Sequence, residues 1–301
     1  MKIYFSALFC CCFLIPYISA ASIRSASAYN DTLTRYWFWP LSAAANNPTP
    51  EKCVANILDS SQFQRRYSIP CDMNKGDDCV GFTAVSHSDK AIIISFRGST
   101  LPEVVQEVAE ALEDAPISPF VGGGNVLKYF LDGFNLIWSG GMKDDFFTLK
   151  NANPGYDLWV TGHSLGAAMA SLTATTIAHL KLYPVDKIKL VTFGQPRVGD
   201  KNYAAVVNSL LPYSYRVIHN HDMFAHVPPQ WLKGYQHHKS EIWYPNDMKV
   251  GDSWIECDVD EGPGCSDGQT DLNIPEHLIY FQHLTESAAF DNCKGWNPYK
   301  H

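Results

Sequence analysis

The stretch that most constrains the fold is WVTGHSLGAAMASL, which covers residues 159–172. It leads from apolar residues, through Gly162 and Gly166 on either side of Ser164, into an alanine-rich segment. Glycine has no Cβ, so a glycine on each side of a serine lets a strand and a helix approach closely through a tight turn. The pattern predicts a strand, a sharp turn that presents the Ser164 hydroxyl, and a helix. The alternative is a small serine at a helix start with no chemical role.

Other segments extend this pattern into a fold class. Four apolar, β-rich runs are nearly continuous, which is typical of strands covered on both faces: 91–98, 157–164, 187–194 and 213–220. Helical patterns lie between them at 164–182 and 200–211, the second preceded by Asp200 as a possible cap. This alternation predicts an α/β fold with a mostly parallel central sheet and helices on both faces. Such sheets carry their chemistry at the carboxyl ends of the strands.

The amino terminus predicts export. Residues 1–20 place Lys2 ahead of an apolar run and end on the small residues Ser19 and Ala20. This composition is typical of a secretory signal peptide cleaved near Ala20, so we expect a secreted, extracellular protein. A membrane helix is the alternative, but the run is shorter than the roughly 20 residues that a bilayer requires. Without repeats or long linkers, residues 21–301 are predicted to form a single domain.

The cysteines and the charge narrow the chemistry further. Of nine cysteines, Cys10, Cys11 and Cys12 leave with the signal, and an even set remains: Cys53, Cys71, Cys79, Cys257, Cys265 and Cys293. An even number in an oxidising compartment favours disulfides, although many pairings are possible. The simplest choice pairs Cys71 with Cys79 and Cys257 with Cys265, which leaves Cys53 for Cys293. Zinc is the competing interpretation, but the set contains no C-x-x-C pair. A formal net charge of −8 argues against nucleic-acid binding.

A serine nucleophile needs a histidine base, and the base needs an acid to orient it. Asp222 follows the predicted strand 213–220 and is the candidate acid, although it could simply bond its own turn. Asp200 is the rival, but its position favours a helix cap. The histidines after Asp222 are His226, His237, His238, His277, His283 and His301. We predict His277, in a short loop ahead of an apolar segment, as the base, and expect His283 inside a packed helix.

Histidines also gather at 219, 221, 226, 237 and 238, which raises the possibility of a metal site. No H-E-x-x-H or similar ligand spacing is present, so we predict no metal and no cofactor. The acidic stretch 256–268 lacks the ligand order of a calcium-binding EF-hand and is interpreted as a solvated loop. The aromatic run 35–41 is expected in the core, and Asn30 is a possible glycosylation site.

Six blocks, in this order, resemble the class 3 lipases, the fungal-type triacylglycerol lipase family of α/β-hydrolases: FRGST (96–100), VTGHSLGAAMASL (160–172), TFGQPRVGD (192–200), RVIHNHDMFAHVPP (216–229), YQHHKSEIWYP (235–245) and EHLIYF (276–281). The resemblance implies Ser164 as nucleophile, Asp222 as acid and His277 as base. It further implies an oxyanion hole formed by Ser99 and the amide of Leu165. The disulfide layout common in the family agrees with the three pairs above.

Residues 100–114 predict an amphipathic helix, with Leu101, Val104 and Val108 on one face and glutamates on the other. We interpret it as a lid over the serine, although it lacks the tryptophan often found there; an ordinary surface helix is the alternative. The predicted partner is a lipid ester at an oil–water interface, with peripheral lipid contact only and weaker binding to anionic membranes. Two other functions stay open: a phospholipase A1 or non-lipase esterase on the same scaffold, and a lipid-binding protein without catalysis.

Overall fold

The structure is a computed structural model that describes residues 28–71, 78–98 and 116–300. The predicted signal peptide 1–20, the predicted lid 100–114 and the predicted oxyanion residue Ser99 lie outside these ranges. The fourteen described strands are β1 (Ser61–Pro70), β2 (Asp78–Ser86), β3 (Ala91–Phe96), β4 (Ile117–Pro119), β5 (Asn125–Leu127), β6 (Asp157–His163), β7 (Ile188–Phe193), β8 (Gly199–Asp200), β9 (Ser214–His219), β10 (Tyr235–Gln236), β11 (Glu241–Tyr244), β12 (Ile255–Cys257), β13 (Ile279–Tyr280) and β14 (His283–Leu284).

The described α-helices connect and cover these strands. They are α1 (Asp31–Leu33), α2 (Trp39–Ala44), α3 (Pro50–Ile57), α4 (Lys128–Ile137), α5 (Lys143–Ala152), α6 (Leu165–His179), α7 (Lys201–Leu210), α8 (Ile274–Leu278) and α9 (Ser287–Asp291). Within the described ranges, no helix is long and apolar enough to cross a membrane.

Among the described residues, eight strands form the main sheet, in the order β1-β2-β3-β6-β7-β9-β11-β12. The five strands from β3 to β11 are parallel, while β1, β2 and β12 pair antiparallel at the two edges. The four predicted strands correspond to β3, β6, β7 and β9, and the two predicted helices to α6 and α7. The prediction of a mostly parallel sheet is therefore confirmed.

Apolar side chains cover both faces of this sheet, which explains the continuous apolar runs in its central strands. Along β3, Ile92 and Ile94 pack into the cluster that includes side chains of α4 and α6, whereas Ile93 packs on the opposite face with Phe38 and Trp39. The predicted core position of the aromatic run is confirmed for Phe38 and Trp39, which are fully buried, whereas Tyr36 and Trp37 are half-buried.

The three predicted disulfides are confirmed, with Cα–Cα distances of 5.0 Å for Cys53–Cys293, 5.5 Å for Cys71–Cys79 and 6.2 Å for Cys257–Cys265. The first joins residues 240 positions apart, linking α3 to the segment after α9. The other two close short loops at opposite edges of the sheet. All three bonds lie outside the strands β6, β7 and β9 that lead into the predicted site.

Candidate active site

Ser164 lies in the turn between β6 and α6, with φ 57° and ψ −129°. A positive φ is unfavourable for a residue with a side chain, so surrounding structure must hold it. A Cβ on Gly162 would lie 2.3 Å from the carbonyl oxygen of Gly166, and a Cβ on Gly166 would lie 2.3 Å from that of Phe96. Both distances are far below van der Waals contact. Only glycine fits at either position, which accounts physically for the predicted turn.

Helix α6 begins at Leu165, directly after the serine. The first amides of a helix have no acceptor within it, so they are free to bind an anion at this end. Gly98 approaches from β3, and a Cβ there would lie 2.7 Å from Cβ of Ser164. The backbone that precedes Ser99 therefore runs directly against the serine. The predicted contribution of Ser99 itself concerns a residue outside the described ranges.

Asp222 follows β9 and is fully buried. Its carboxylate accepts hydrogen bonds from Nδ1 of His277, at 2.9 and 3.0 Å, from the Tyr280 hydroxyl, at 2.6 Å, and from the Phe224 amide, at 2.8 Å. Burial acts to raise the pKa of Asp222, but the charge and hydrogen bond of His277 and the bond from Tyr280 outweigh it and lower the pKa to about 2. The carboxylate therefore stays ionised in the interior.

His277 lies on the short helix α8 rather than in the loop that the sequence predicted. Asn273 caps this helix through a 3.0 Å bond from the Glu276 amide to its side-chain oxygen. Because Asp222 is bonded to Nδ1 of His277, a neutral ring carries its proton there and has its lone pair on Nε2. A general base requires this tautomer, with the lone pair on Nε2. The His277 ring also packs against Phe224, with centroids 4.8 Å apart.

His163, the residue before the serine, connects the two parts of the site. Its Nε2–H donates to the carbonyl oxygen of His277 over 2.7 Å, and the two rings lie 4.4 Å apart at 31°. Burial, aided by the neighbouring His277, lowers the pKa of His163 to about 3, so the ring is neutral at physiological pH. No role for His163 was predicted from the sequence.

Gly194, at the end of β7, passes beneath the acid and the base. It has φ +52°, and a Cβ there would lie 2.6 Å from Oδ2 of Asp222 and 2.7 Å from Nδ1 of His277. Phe193 precedes Gly194 in the chain, and its carbonyl accepts a hydrogen bond from the amide of Ser164 over 2.9 Å. The end of β7 thus touches both the serine and the acid–base pair, and the carboxyl ends of β6, β7 and β9 meet at one site.

The predicted nucleophile and the predicted base are not hydrogen-bonded to each other. Oγ of Ser164 and Nε2 of His277 are both buried, and neither has a hydrogen-bond partner among the described residues. Unliganded hydrolytic sites often hold this pair apart and close it on binding substrate. Both atoms are available for chemistry at the same junction of strand ends.

Tyr280 is a residue that the sequence analysis missed, although it lies in the block EHLIYF. Its buried hydroxyl donates to Asp222 and accepts from the His219 amide at 3.4 Å. Burial and the nearby Asp222 charge raise the pKa of Tyr280 well above its ordinary value, so the hydroxyl remains a donor. Its place three residues after His277 was the available signal, but the contact that brings its hydroxyl to Asp222 joins distant segments and is not visible in the sequence.

The remaining candidates have structural contacts. Asp200 caps α7 by accepting from the amides of Asn202 and Tyr203, both at 3.0 Å, as its position predicted. His237 binds the Ala225 carbonyl at 2.6 Å, and His238 binds Gln195 at 3.1 Å. Within the described ranges, no group of three or more potential ligands is arranged to hold a metal ion.

Two further expectations need correction. His283 is in the short strand β14, not in a helix, because the chain reverses after Tyr280 to form the β13–β14 hairpin. The acidic loop 256–268 is only partly solvated: Glu261 and Asp267 reach inward to Arg197, at 2.8 and 2.9 Å. That arginine is 3% exposed and also donates to the carbonyl of His226, so the loop anchors the segment after Asp222.

Comparisons with known proteins identify similar sequences and a similar fold. The sequence profile described as Lipase (class 3) matches residues 93–231. A Caenorhabditis elegans lipase is 34% identical over 84% of this chain and 79% of its own length. A secreted mono- and diacylglycerol lipase of Fusarium solani is 32% identical over 69% of this chain and 61% of its own length. The Rhizomucor miehei triacylglyceride lipase structure superimposes with a TM-score of 0.73 at 25% identity, covering 86% of this chain and 97% of that one.

Proposed function

The chain belongs to the class 3 lipase family and has its α/β-hydrolase fold, and we propose that it is a secreted hydrolase of acylglycerol esters. The observation that carries the proposal is the meeting of Ser164, on a strained turn, with a buried Asp222–His277 pair. Relatives named as lipases support the reaction class, and triacylglycerol is the proposed principal substrate.

The proposed reaction proceeds through an acyl-enzyme. Ser164 Oγ attacks the ester carbonyl while Nε2 of His277 takes its proton, and Asp222 stabilises the charged ring. The amide of Leu165, with Ser99 as the proposed second donor, stabilises the developing oxyanion. His277 then gives the proton to the departing glycerol oxygen, which breaks the ester bond. A water molecule attacks the acyl-enzyme by the same route, releasing the fatty acid and regenerating Ser164.

Export is part of the proposal. Three relatives are named as secreted lipases, and three disulfides are typical of proteins that mature in an oxidising compartment. Expression of the full chain with its residues 1–20 is expected to yield protein in the medium that begins near Ala21. Retention of residues 1–20 in the exported protein would contradict cleavage there.

Partial glycerides are a second substrate class, favoured by relatives named as mono- and diacylglycerol lipases. The test is acid release from emulsified tri-, di- and monoacylglycerol by the purified chain, with Ser164→Ala as control. We expect hydrolysis of all three, fastest on triacylglycerol, and none by the variant. Preference for partial glycerides would shift the substrate assignment. Activity on phosphatidylcholine or on dissolved esters alone would favour the phospholipase or esterase alternative, and no activity would favour a lipid-binding protein.

A further inference from the structure

Half-buried apolar side chains lie on the segments that carry the candidate catalytic residues. Each of the three predicted catalytic residues is followed in the chain by a half-buried apolar one: Leu165, Met223 and Leu278. Three more half-buried apolar residues lie on the segments that carry Asp222 and His277: Val227, Leu232 and Ile274. All six pack on the same core cluster while keeping part of their surface in solvent. We call these six residues the apolar collar.

Trp231 is a strongly exposed aromatic residue next to the collar residue Leu232 in the chain. It lies between Val227 and Leu232, on the segment that leads away from Asp222, and it is 80% exposed. Exposure of so large an aromatic side chain leaves apolar area in water that burial would remove. Phe290 is 81% exposed and lies on α9, a helix that packs on α2 and β14. The two residues therefore differ in place rather than in exposure.

The segment carrying Trp231 is held at both ends. Arg197 donates through its amide to the Val227 carbonyl at 2.9 Å and through its side chain to the Pro228 carbonyl at 3.2 Å. At the other end, Tyr235 of β10 is buried, and it pairs with Asp200 of β8. Between them, Leu232 donates to the Pro229 carbonyl at 3.0 Å. The fold therefore presents Trp231 outward on a fixed turn.

We propose that the apolar collar and Trp231 form the contact surface for a lipid aggregate without net charge, with Trp231 at the lipid–water boundary. The inference rests on the proposed function, because long-chain acylglycerols meet the enzyme only as an aggregate. Tryptophan prefers such boundaries, since its ring is apolar and its indole N–H is polar. Two acidic side chains near His277 in the chain, Glu276 and the 85% exposed Asp271, oppose an anionic lipid surface.

Binding is tested first without catalysis, in a Ser164→Ala background, by flotation with phosphatidylcholine vesicles. We expect Trp231→Ala to lower the partition coefficient about tenfold, because the variant no longer buries one large aromatic side chain on binding lipid. Trp231→Phe should recover most of the binding, and Phe290→Ala should leave it unchanged. Adding phosphatidylserine at low salt should weaken binding. Equal losses in Trp231→Ala and Phe290→Ala, or tighter binding to phosphatidylserine, would overturn the proposal.

Activity gives a second readout on the chain with Ser164 intact. Trp231→Ala is expected to lower the ratio of rates on emulsified and dissolved ester about tenfold, and Phe290→Ala to leave that ratio unchanged. An equal fall of both rates in Trp231→Ala would place the residue in the catalytic structure and refute a lipid contact. Vesicle binding does not require hydrolysis, so a chain that binds through Trp231 but hydrolyses no ester would refute only the proposed function.

Discussion

Backbone contacts hold the serine half of the site, whereas side-chain hydrogen bonds hold the acid–base half. Ser164 is fixed by glycines at 98, 162 and 166, where any Cβ would collide with backbone or with the serine. Asp222 and His277 lie on separate segments and are aligned by each other and by Tyr280. Because of this difference, we expect a change in the serine half to disturb folding. A change in the acid–base half should remove activity and leave the fold intact.

The largest expected effect is on catalysis in the acid–base half. Asp222→Asn keeps the shape but removes the charge that favours Nδ1–H on His277, so kcat for ester hydrolysis should fall about 10⁴-fold, the order known for this change in a serine protease triad. Thermal unfolding should show that the variant is folded. Activity within tenfold of the parent would contradict Asp222 as the acid.

In the serine half, Gly166→Ala should act on stability. Its Cβ would meet the Phe96 carbonyl at 2.3 Å, backbone that cannot move without disturbing β3. The free energy of unfolding should fall by about 3 kcal/mol or more, as measured in urea. The matched control is Gly264→Ala, where a Cβ has no neighbour within 4 Å and the change should be under about 0.5 kcal/mol. Equal effects of the two substitutions would refute the backbone argument.

The contact between the halves is tested at His163. His163→Leu leaves the buried His277 carbonyl without its donor, which should lower kcat by roughly 30-fold, equivalent to about 2 kcal/mol. His163→Gln can supply an amide donor at a similar reach and should recover much of that loss. If leucine and glutamine perform alike, the hydrogen bond does not position the base.

Tyr280→Phe removes one of the bonds to Asp222 and should lower kcat about tenfold, with a loss of about 1 kcal/mol in stability. Tyr213→Phe is the control, because the buried Tyr213 hydroxyl has no partner among the described residues and its removal should be neutral. Kinetics and urea unfolding on both variants test the difference. A fully active Tyr280→Phe would remove Tyr280 from the positioning network.

A further expected effect is on the dependence of stability on pH. The folded-state pKa values of His163 and His238 are lowered to about 3, chiefly by burial, so an unfolded chain takes up these protons as pH falls below about 6.5 while the folded chain does not. Stability should therefore fall with decreasing pH from about 6.5 toward 3, by about 1.4 kcal/mol per pH unit for each histidine.

Substituting each histidine by glutamine tests this dependence. His163→Gln, at the contact between the halves, and His238→Gln, outside it, should each reduce the slope of urea stability against pH between pH 6 and 5 by about one proton. An unchanged slope in both would mean that these rings are not held neutral. A reduced slope in only one variant would mean that only the histidine replaced in that variant is held neutral in the folded chain.

The sequence predicted the serine half better than the acid–base half, for a physical reason. The strand, turn and helix around Ser164 are contiguous, so hydrophobic pattern and glycine spacing specify them locally. The acid–base contacts join segments far apart in the chain, such as His163 with the His277 carbonyl and Arg197 with Glu261 and Asp267. Such pairs leave no periodicity, so the roles of His163, Tyr280 and Arg197 were missed.

Their positions along the chain and the family resemblance both indicated Asp222 and His277, but not the local structure around them. His277 lies on a helix because Asn273 caps one there, and His283 lies on a strand because the chain reverses after Tyr280. The short elements α8, β13 and β14 have too few residues to show a hydrophobic period. Their conformations depend on tertiary contacts that pattern alone does not reveal.

Whether Ser164 is a nucleophile activated by His277 can be measured as the rate at which a fluorophosphonate labels the purified chain, with the labelled peptide identified by mass spectrometry. We expect Ser164 to carry the label and His277→Ala to slow labelling at least about 10³-fold, because the serine then lacks its base. Labelling at another serine, or an unchanged rate in His277→Ala, would contradict this expectation.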